Sequence, residues 1–131
     1  MAQLEKHLKV KKSKLRGAGL GLFTTVLIPR GTRIVEYRGR KCFWRDVKNE
    51  DHTNPYLMRV DRSNAIDASR SFKTYGRYAN DALGISRKPG LVNNAEYVTE
   101  GKRCFIEATK NILPGSEILV SYGKDYWKIF G

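Results

Sequence analysis

The chain has 131 residues, 40% apolar and 29% charged, with 25 Lys and Arg against 13 Asp and Glu for a formal net charge of +12. That is the size of one domain, 1–131, and no apolar run approaches the roughly 20 residues of a membrane-spanning helix. Met1 to Lys14 is charged and lacks the apolar stretch of about 7–15 residues found in a secretion signal, so a cytoplasmic or nuclear protein without membrane contact is expected.

Short β-like runs punctuated by glycine predict a mainly β protein with little helix. Leu8 to Lys12 and Leu22 to Thr25 read as brief strands flanking a Gly-rich turn, and Arg33 to Tyr37 as a third after the Pro29-Arg30-Gly31 turn. A short helical turn through Phe43 to Val47 precedes strands at Asn54 to Val60 and Ala65 to Asp67. The segment Ser69 to Leu91 has neither helical nor strand periodicity and carries Gly76, Gly84, Pro89 and Gly90, which marks an irregular, functional stretch. Asn94 to Thr99 and Arg103 to Ala108 form a hairpin closed around Glu100-Gly101. Pro114-Gly115 then turns the chain into a strand over Glu117 to Tyr122, and Asp125 to Phe130 makes one terminal helical turn.

The charge is uneven: residues 1–48 hold 13 Lys and Arg against 3 Asp and Glu, a balance of +10. A basic front half invites an anionic partner such as nucleic acid, an acidic protein or substrate embedded in nucleoprotein; a solvated basic surface is the plain alternative. Cys42 and Cys104 fit neither a disulfide framework nor a zinc motif, and His7 and His52 lack nearby ligands, so no structural metal is expected.

Three features bear on chemistry. Gly17-Ala18-Gly19-Leu20-Gly21 sets glycines at alternate positions, permitting positive φ and close approach of a ligand to the backbone. It fits neither a dinucleotide fingerprint nor a phosphate loop, and alone reads as a tight turn. Tyr37, Tyr75, Tyr78, Tyr122 and Tyr126 fall beside glycine, polar residues or strand ends, where they serve as core or as a receptacle for an ammonium or sulfonium group. Asn80-Asp81, in the irregular stretch, reads alone as an Asx turn.

Taken in order, the segments from about Leu8 to Trp127 resemble the SET family of protein lysine methyltransferases. Gly19-Leu20-Gly21-Leu22-Phe23 is similar to that family's Gly-x-Gly cofactor motif, and Val35-Glu36-Tyr37-Arg38-Gly39 to its Glu-Tyr-x-Gly segment. Ile66-Asp67-Ala68 resembles its Ile-Asp-Ala strand, and Arg77-Tyr78-Ala79-Asn80-Asp81-Ala82 its Arg-Phe-Ile-Asn-His-Ser signature. Pro114-Gly115-Ser116-Glu117-Ile118 and Ser121-Tyr122-Gly123 resemble the closing Pro-Gly-Glu-Glu-Leu and Asp-Tyr-Gly elements.

The resemblance implies a β-clip fold of several short sheets with a C-terminal pseudoknot, and transfer of a methyl group from S-adenosylmethionine to a lysine in a protein or peptide substrate, histones being the family's commonest target class. It implies that Ala18, Gly19 and Leu20 line the cofactor while Asn80 and the backbone of Asp81 hold its amino and adenine groups. Tyr122 becomes the catalytic tyrosine, set against the cofactor, with Tyr37 walling the lysine channel. Trp127, or else Tyr126, becomes the residue stacked over adenine. Asp81 replaces the usual histidine and is expected to add negative charge beside the cofactor. No Cys-x-Cys zinc cluster follows Tyr122 and no cysteines precede Leu8, so the lid must come from the residues after Tyr122, from a homodimer, or from chain beyond this sequence.

Such transfer is an in-line displacement needing an uncharged amine, and neutralising a lysine of pKa about 10.4 at pH 7 costs roughly 4–5 kcal/mol. Glu36, Glu50, Asp51 and Asp61 are candidates for receiving a basic substrate. Two other readings stay open: a catalytically degenerate SET module that binds cofactor or peptide, and a small basic β-domain for nucleic acid.

Overall fold

The computed structural model describes residues 2–15, 17–51, 53–82 and 90–122. In chain order its strands are β1 (Leu8–Lys12), β2 (Leu20–Thr24), β3 (Arg33–Glu36), β4 (Arg40–Phe43), β5 (Leu57–Arg59), β6 (Asn64–Asp67), β7 (Ala95–Glu100) and β8 (Arg103–Ala108). Two short helices, α1 (Ala2–Glu5) and α2 (Trp44–Val47), and 3-10 turns at Lys48–Glu50 and Gly76–Tyr78 complete the regular structure of the described residues. The protein is mainly β, as its short glycine-punctuated runs predict.

In β1, Leu8 and Val10 pack on the main apolar cluster while Lys9 and Lys11 are exposed, the two-residue alternation of a half-buried strand. Among the described residues β1 pairs only with β2, antiparallel, with Leu8 opposite Thr24 and Lys12 opposite Leu20. β3, β8 and β7 form a second sheet with β8 central, so Cys104, Phe105 and Ile106 are all buried. The third sheet has the order β4-β6-β5. β7 and β8 are joined through Gly101-Lys102, where Gly101 adopts φ +61° with Glu100 opposite Arg103.

Two expectations shift. The strand expected from Asn54 begins at Leu57, because the Asn54 side chain is drawn into a turn: its Oδ1 accepts from Tyr56 N–H at 3.0 Å and its Nδ2 donates to Asp67 at 3.1 Å. Glu117 to Tyr122 is not a regular strand, because its neighbour changes at almost every step. Ile118 N–H donates to Leu22 (2.7 Å), Leu119 accepts from Ala95 N–H (3.1 Å), and Val120 N–H donates to Asn80 (2.8 Å). Leu119 and Val120 therefore run parallel to Asn80 on one side and Ala95 on the other, the crossing of the C-terminal segment with the loop before it. The terminal turn expected at Asp125 to Phe130 lies outside the described residues.

Ile28, Ile34, Ile106, Ile118 and Val120 anchor the main cluster, which joins the first two sheets and the C-terminal crossing. A second cluster gathers Tyr37, Val60, Ile66, Ala68 and Cys104, and a third Leu15, Ala82 and Leu119. Among the described residues no helix is long and apolar enough to cross a membrane.

Candidate active site

Two glycines of the Gly-rich turn do different work. Gly19 has φ +73°, and a Cβ there would meet nothing within 4 Å, so the backbone takes a left-handed turn beside open space. Ala18 is half-buried and Leu20 is 51% exposed, which leaves this short strip facing outward. Gly21 is the opposite case, since a Cβ would run into the carboxylate of Glu117.

Glu117 is 4% exposed, and a buried carboxylate has to be met by donors. It accepts from the Ser13 hydroxyl at 2.6 Å, from Lys14 N–H at 2.9 Å and from Asn80 Nδ2 at 3.3 Å. Asn80 Nδ2 also donates to the Leu20 carbonyl oxygen at 2.9 Å. Both partners of the amide nitrogen are acceptors, so its two N–H groups point inward and the orientation of the amide follows. Oδ1 of Asn80 is left as an acceptor.

Asp81, 5% exposed, turns its carboxylate inward as well. Oδ2 accepts from the backbone N–H of Tyr122 at 2.8 Å and Oδ1 from Asn93 Nδ2 at 2.9 Å, while Asn93 Oδ1 accepts from Ala82 N–H. The extra charge expected beside the cofactor is thus buried and engaged by donors. The Tyr122 hydroxyl donates to the Ala79 carbonyl oxygen. Ala79, Asn80 and Asp81 between them fix the C-terminal tyrosine and the Gly-rich strip.

Three tyrosines form a row at this point. The ring of Tyr97 stacks on Tyr122, with centroids 6.5 Å apart and planes at 22°, and meets Tyr37 edge to face at 5.9 Å and 87°. The Tyr37 hydroxyl donates to the Tyr56 carbonyl oxygen at 2.8 Å. Burial pushes the Tyr37 phenol well above its ordinary pKa, outweighing the opposing pull of nearby Arg77. Arg77 is itself buried, its Nη1 donating to the carbonyls of Ala68 (3.0 Å) and Ser69 (3.1 Å) and its guanidinium lying 4.0 Å from the ring centroid of Tyr56. The signature arginine therefore braces the irregular stretch behind Tyr37.

The SET domain family model matches residues 19–123, spanning the Gly-rich strip, Asn80 and Tyr122. The chain belongs to the SET-domain family. Histone-lysine N-methyltransferase set-17 of Caenorhabditis elegans is 31% identical over 126 residues, covering 93% of this chain and 43% of that protein. Histone-lysine N-methyltransferase set-1 of the same organism is 26% identical over 129 residues, covering 91% of this chain and 51% of that protein. Histone-lysine N-methyltransferase ASHH1 of Arabidopsis thaliana is 26% identical over 128 residues, 92% of this chain and 25% of that protein. The chain spans about half or less of the length of these curated relatives.

Within this SET domain, the hydrogen bonds of the consecutive residues Ala79, Asn80 and Asp81 bring Leu20 and Tyr122 to one short stretch of backbone. Tyr37 reaches it through Tyr97. Tyr75 and Tyr78 pack against the main cluster, as Tyr97 and Tyr122 also do, and Tyr126 and Trp127 lie outside the described residues. Sequence reasoning gave no role to Glu117, though it stands in a matched motif, nor to Ser13, Asn93 and Tyr97. Only Glu117 carried a signal, as a member of the closing Pro-Gly motif and a single charge leading into the apolar run Ile118-Leu119-Val120. Of the acids suggested for a basic substrate, Glu36 is already paired with Arg103 at 2.8 Å, and Asp61 caps the turn to Asn64. Glu50 and Asp51 remain, and Glu50 lies on the wall of a depression of about 430 Å³ shared with Arg40, Asp67, Ser69, Arg70 and Ser71. Among the described residues no His, Cys, Asp and Glu side chains group as metal ligands.

Proposed function

We propose that this SET domain transfers a methyl group from S-adenosylmethionine to the side-chain amine of a lysine in a protein, with histones as the substrate class. The observation that carries this reading is the joint at Ala79-Asn80-Asp81, which ties the Gly-rich strip through Asn80 and the tyrosine row through Tyr122.

The residues present fit the cofactor. Open space at a left-handed Gly19, the exposed Leu20 beside it, and an Asn80 amide whose oxygen is left as acceptor suit an amino-acid ammonium and its apolar neighbours. Ala18, Gly19, Leu20, Asn80 and the backbone of Asp81 would hold it, with Trp127 against the adenine. Bound there, the cofactor supplies an electrophilic methyl group. The protein's own task is to orient and discharge the amine. Tyrosine faces attract an ammonium, while desolvation of the amine on entering between the rings would lower its pKa toward the uncharged form. With its proton committed to Ala79, the Tyr122 hydroxyl meets the amine as an acceptor and fixes its lone pair in line. Tyr37, kept neutral by burial, bounds the other side.

Incubating the purified chain with methyl-labelled S-adenosylmethionine and core histones, read by mass spectrometry, tests this directly. Label on lysine that Tyr122→Phe removes is expected. Cofactor binding with no transfer to any lysine-bearing protein would leave the degenerate binding module as the better description.

A further inference from the structure

The described cations differ in whether they are paired. Arg33, Arg38, Arg40, Arg45 and Arg103 each stand within 4 Å of a carboxylate. The lysines of β1 do not: Lys9, Lys11 and Lys12 are exposed and make no ion pair among the described residues, and neither do exposed Lys6 and Lys14 on either side. Two acids of this region are engaged elsewhere, Glu5 with Arg38 at 3.7 Å and Glu117 with its buried donors. Of the eight described cations of residues 1–48 outside any ion pair, five lie between Lys6 and Lys14, and the other three, Arg30, Lys41 and Lys48, lie elsewhere along the chain.

Among the described residues β1 is a sheet edge, since it pairs there with β2 alone. Lysines on an edge discourage pairing with another strand, yet five uncompensated charges in nine residues also repel one another. A strand rises about 3.3 Å per residue, which sets Lys9 and Lys11 roughly 6.6 Å apart on one face. Duplex DNA presents one charge per about 1.7 Å of its axis, a charge density that a run of exposed ammonium groups can partly neutralise. Protein interfaces are depleted in lysine and need an apolar centre, and β1 exposes no large apolar side chain. Lysine is a flexible point charge, suited to phosphate contact without reading base edges.

We propose that the β1 edge, from Lys6 to Lys14, is a docking surface for the phosphate backbone of duplex DNA, bound without sequence preference. Docking there is independent of methyl transfer, and its test needs no catalysis.

Fluorescence anisotropy of labelled duplexes of unrelated sequence, titrated with the full chain between about 50 and 200 mM salt, measures it. Binding is expected to be equal across sequences and to weaken with salt. The triple variant Lys9→Gln, Lys11→Gln, Lys12→Gln should bind less tightly and show a log–log salt slope shallower by about 0.9 for each phosphate that the protein no longer neutralises. The variant Arg30→Gln, Lys41→Gln, Lys48→Gln removes the same charge elsewhere and should change little. Lys11 lies 4.5 Å from the ring centroid of Phe23, so the double variant Lys9→Gln, Lys12→Gln repeats the measurement with that contact kept. No binding at low salt, equal losses in the two triple variants, or an unchanged slope in both β1 variants would overturn the proposal.

Discussion

The backbone N–H of Tyr122 is held by the carboxylate of Asp81 at 2.8 Å, a bond across 41 residues. Asp81 stands where the SET signature has histidine, and its two oxygens serve Tyr122 and Asn93 at once. A neutral imidazole has one acceptor nitrogen. Asp81→His therefore leaves one of these donors unmet and should cost about 1–3 kcal/mol, with Asp81→Ala at or above the upper end. Urea titration of the three proteins checks this; equal midpoints would mean that the carboxylate does not anchor Tyr122.

Tyr122→Phe removes a hydroxyl whose proton is committed to Ala79. Transfer should fall by about 100-fold, or roughly 2.7 kcal/mol of transition-state stabilisation. The Ala79 carbonyl loses its donor, so a small fall in thermal midpoint should accompany it. Unchanged turnover in the variant would remove Tyr122 from the chemistry.

Glu117 acts through Asn80 and makes no claim on substrate. In Glu117→Gln the buried group keeps its size but loses one acceptor oxygen, so Ser13, Lys14 and Asn80 can no longer all be satisfied. KM for S-adenosylmethionine should rise about 10-fold, with KM for the lysine substrate unchanged. Steady-state kinetics varying each substrate separates this from a general loss of fold, which would move both.

Local pattern made much of the fold legible. Leu8 and Val10 alternate with lysines in β1, and Cys104-Phe105-Ile106 reads as a strand covered on both faces. β4 was not legible, because Arg40, Lys41 and Phe43 are exposed on a sheet edge and β4 exists through its pairing with β6. Tyr122 and Asn80 could be found from motifs in order along the chain. Glu117 could not be ranked with them, since its meaning lies in Ser13, 104 residues away. Tyr97 was hidden for a related reason: only the closed fold shows which face of β7 meets Tyr122.

The two thiols should differ in reactivity. Cys104 is fully buried and burial pushes its thiol up to about 11, while Cys42 is partly exposed. The thiolate is the nucleophile, so alkylation at pH 8 should label Cys42 first and reach Cys104 only with unfolding. Mass mapping of the labelled peptides reads the order, and early label on Cys104 would show that the β3-β8-β7 core opens readily.

Glu36 supplies a pH dependence whose sign follows from its partner. Arg103 donates to both of its oxygens, at 3.0 and 2.8 Å, and holds the carboxyl below its ordinary pKa of 4.5. A carboxyl depressed in the folded state binds its proton more readily when unfolded, so unfolding takes up protons and stability falls with falling pH. The contribution is complete above about pH 4.5, the unfolded value, and disappears as pH drops through the lower folded value. Arg103→Gln removes the cause of the depression. Wild type and variant should therefore differ in urea midpoint at pH 7 and converge toward pH 3. Arg38, 3.6 Å from the same carboxylate, leaves a residual pull that keeps the variant from losing the effect entirely. A gap that widened on acidification would mean that the pair contributes through packing of the Arg103 stem over Phe105, whose ring centroid lies 4.9 Å from the guanidinium, and not through charge.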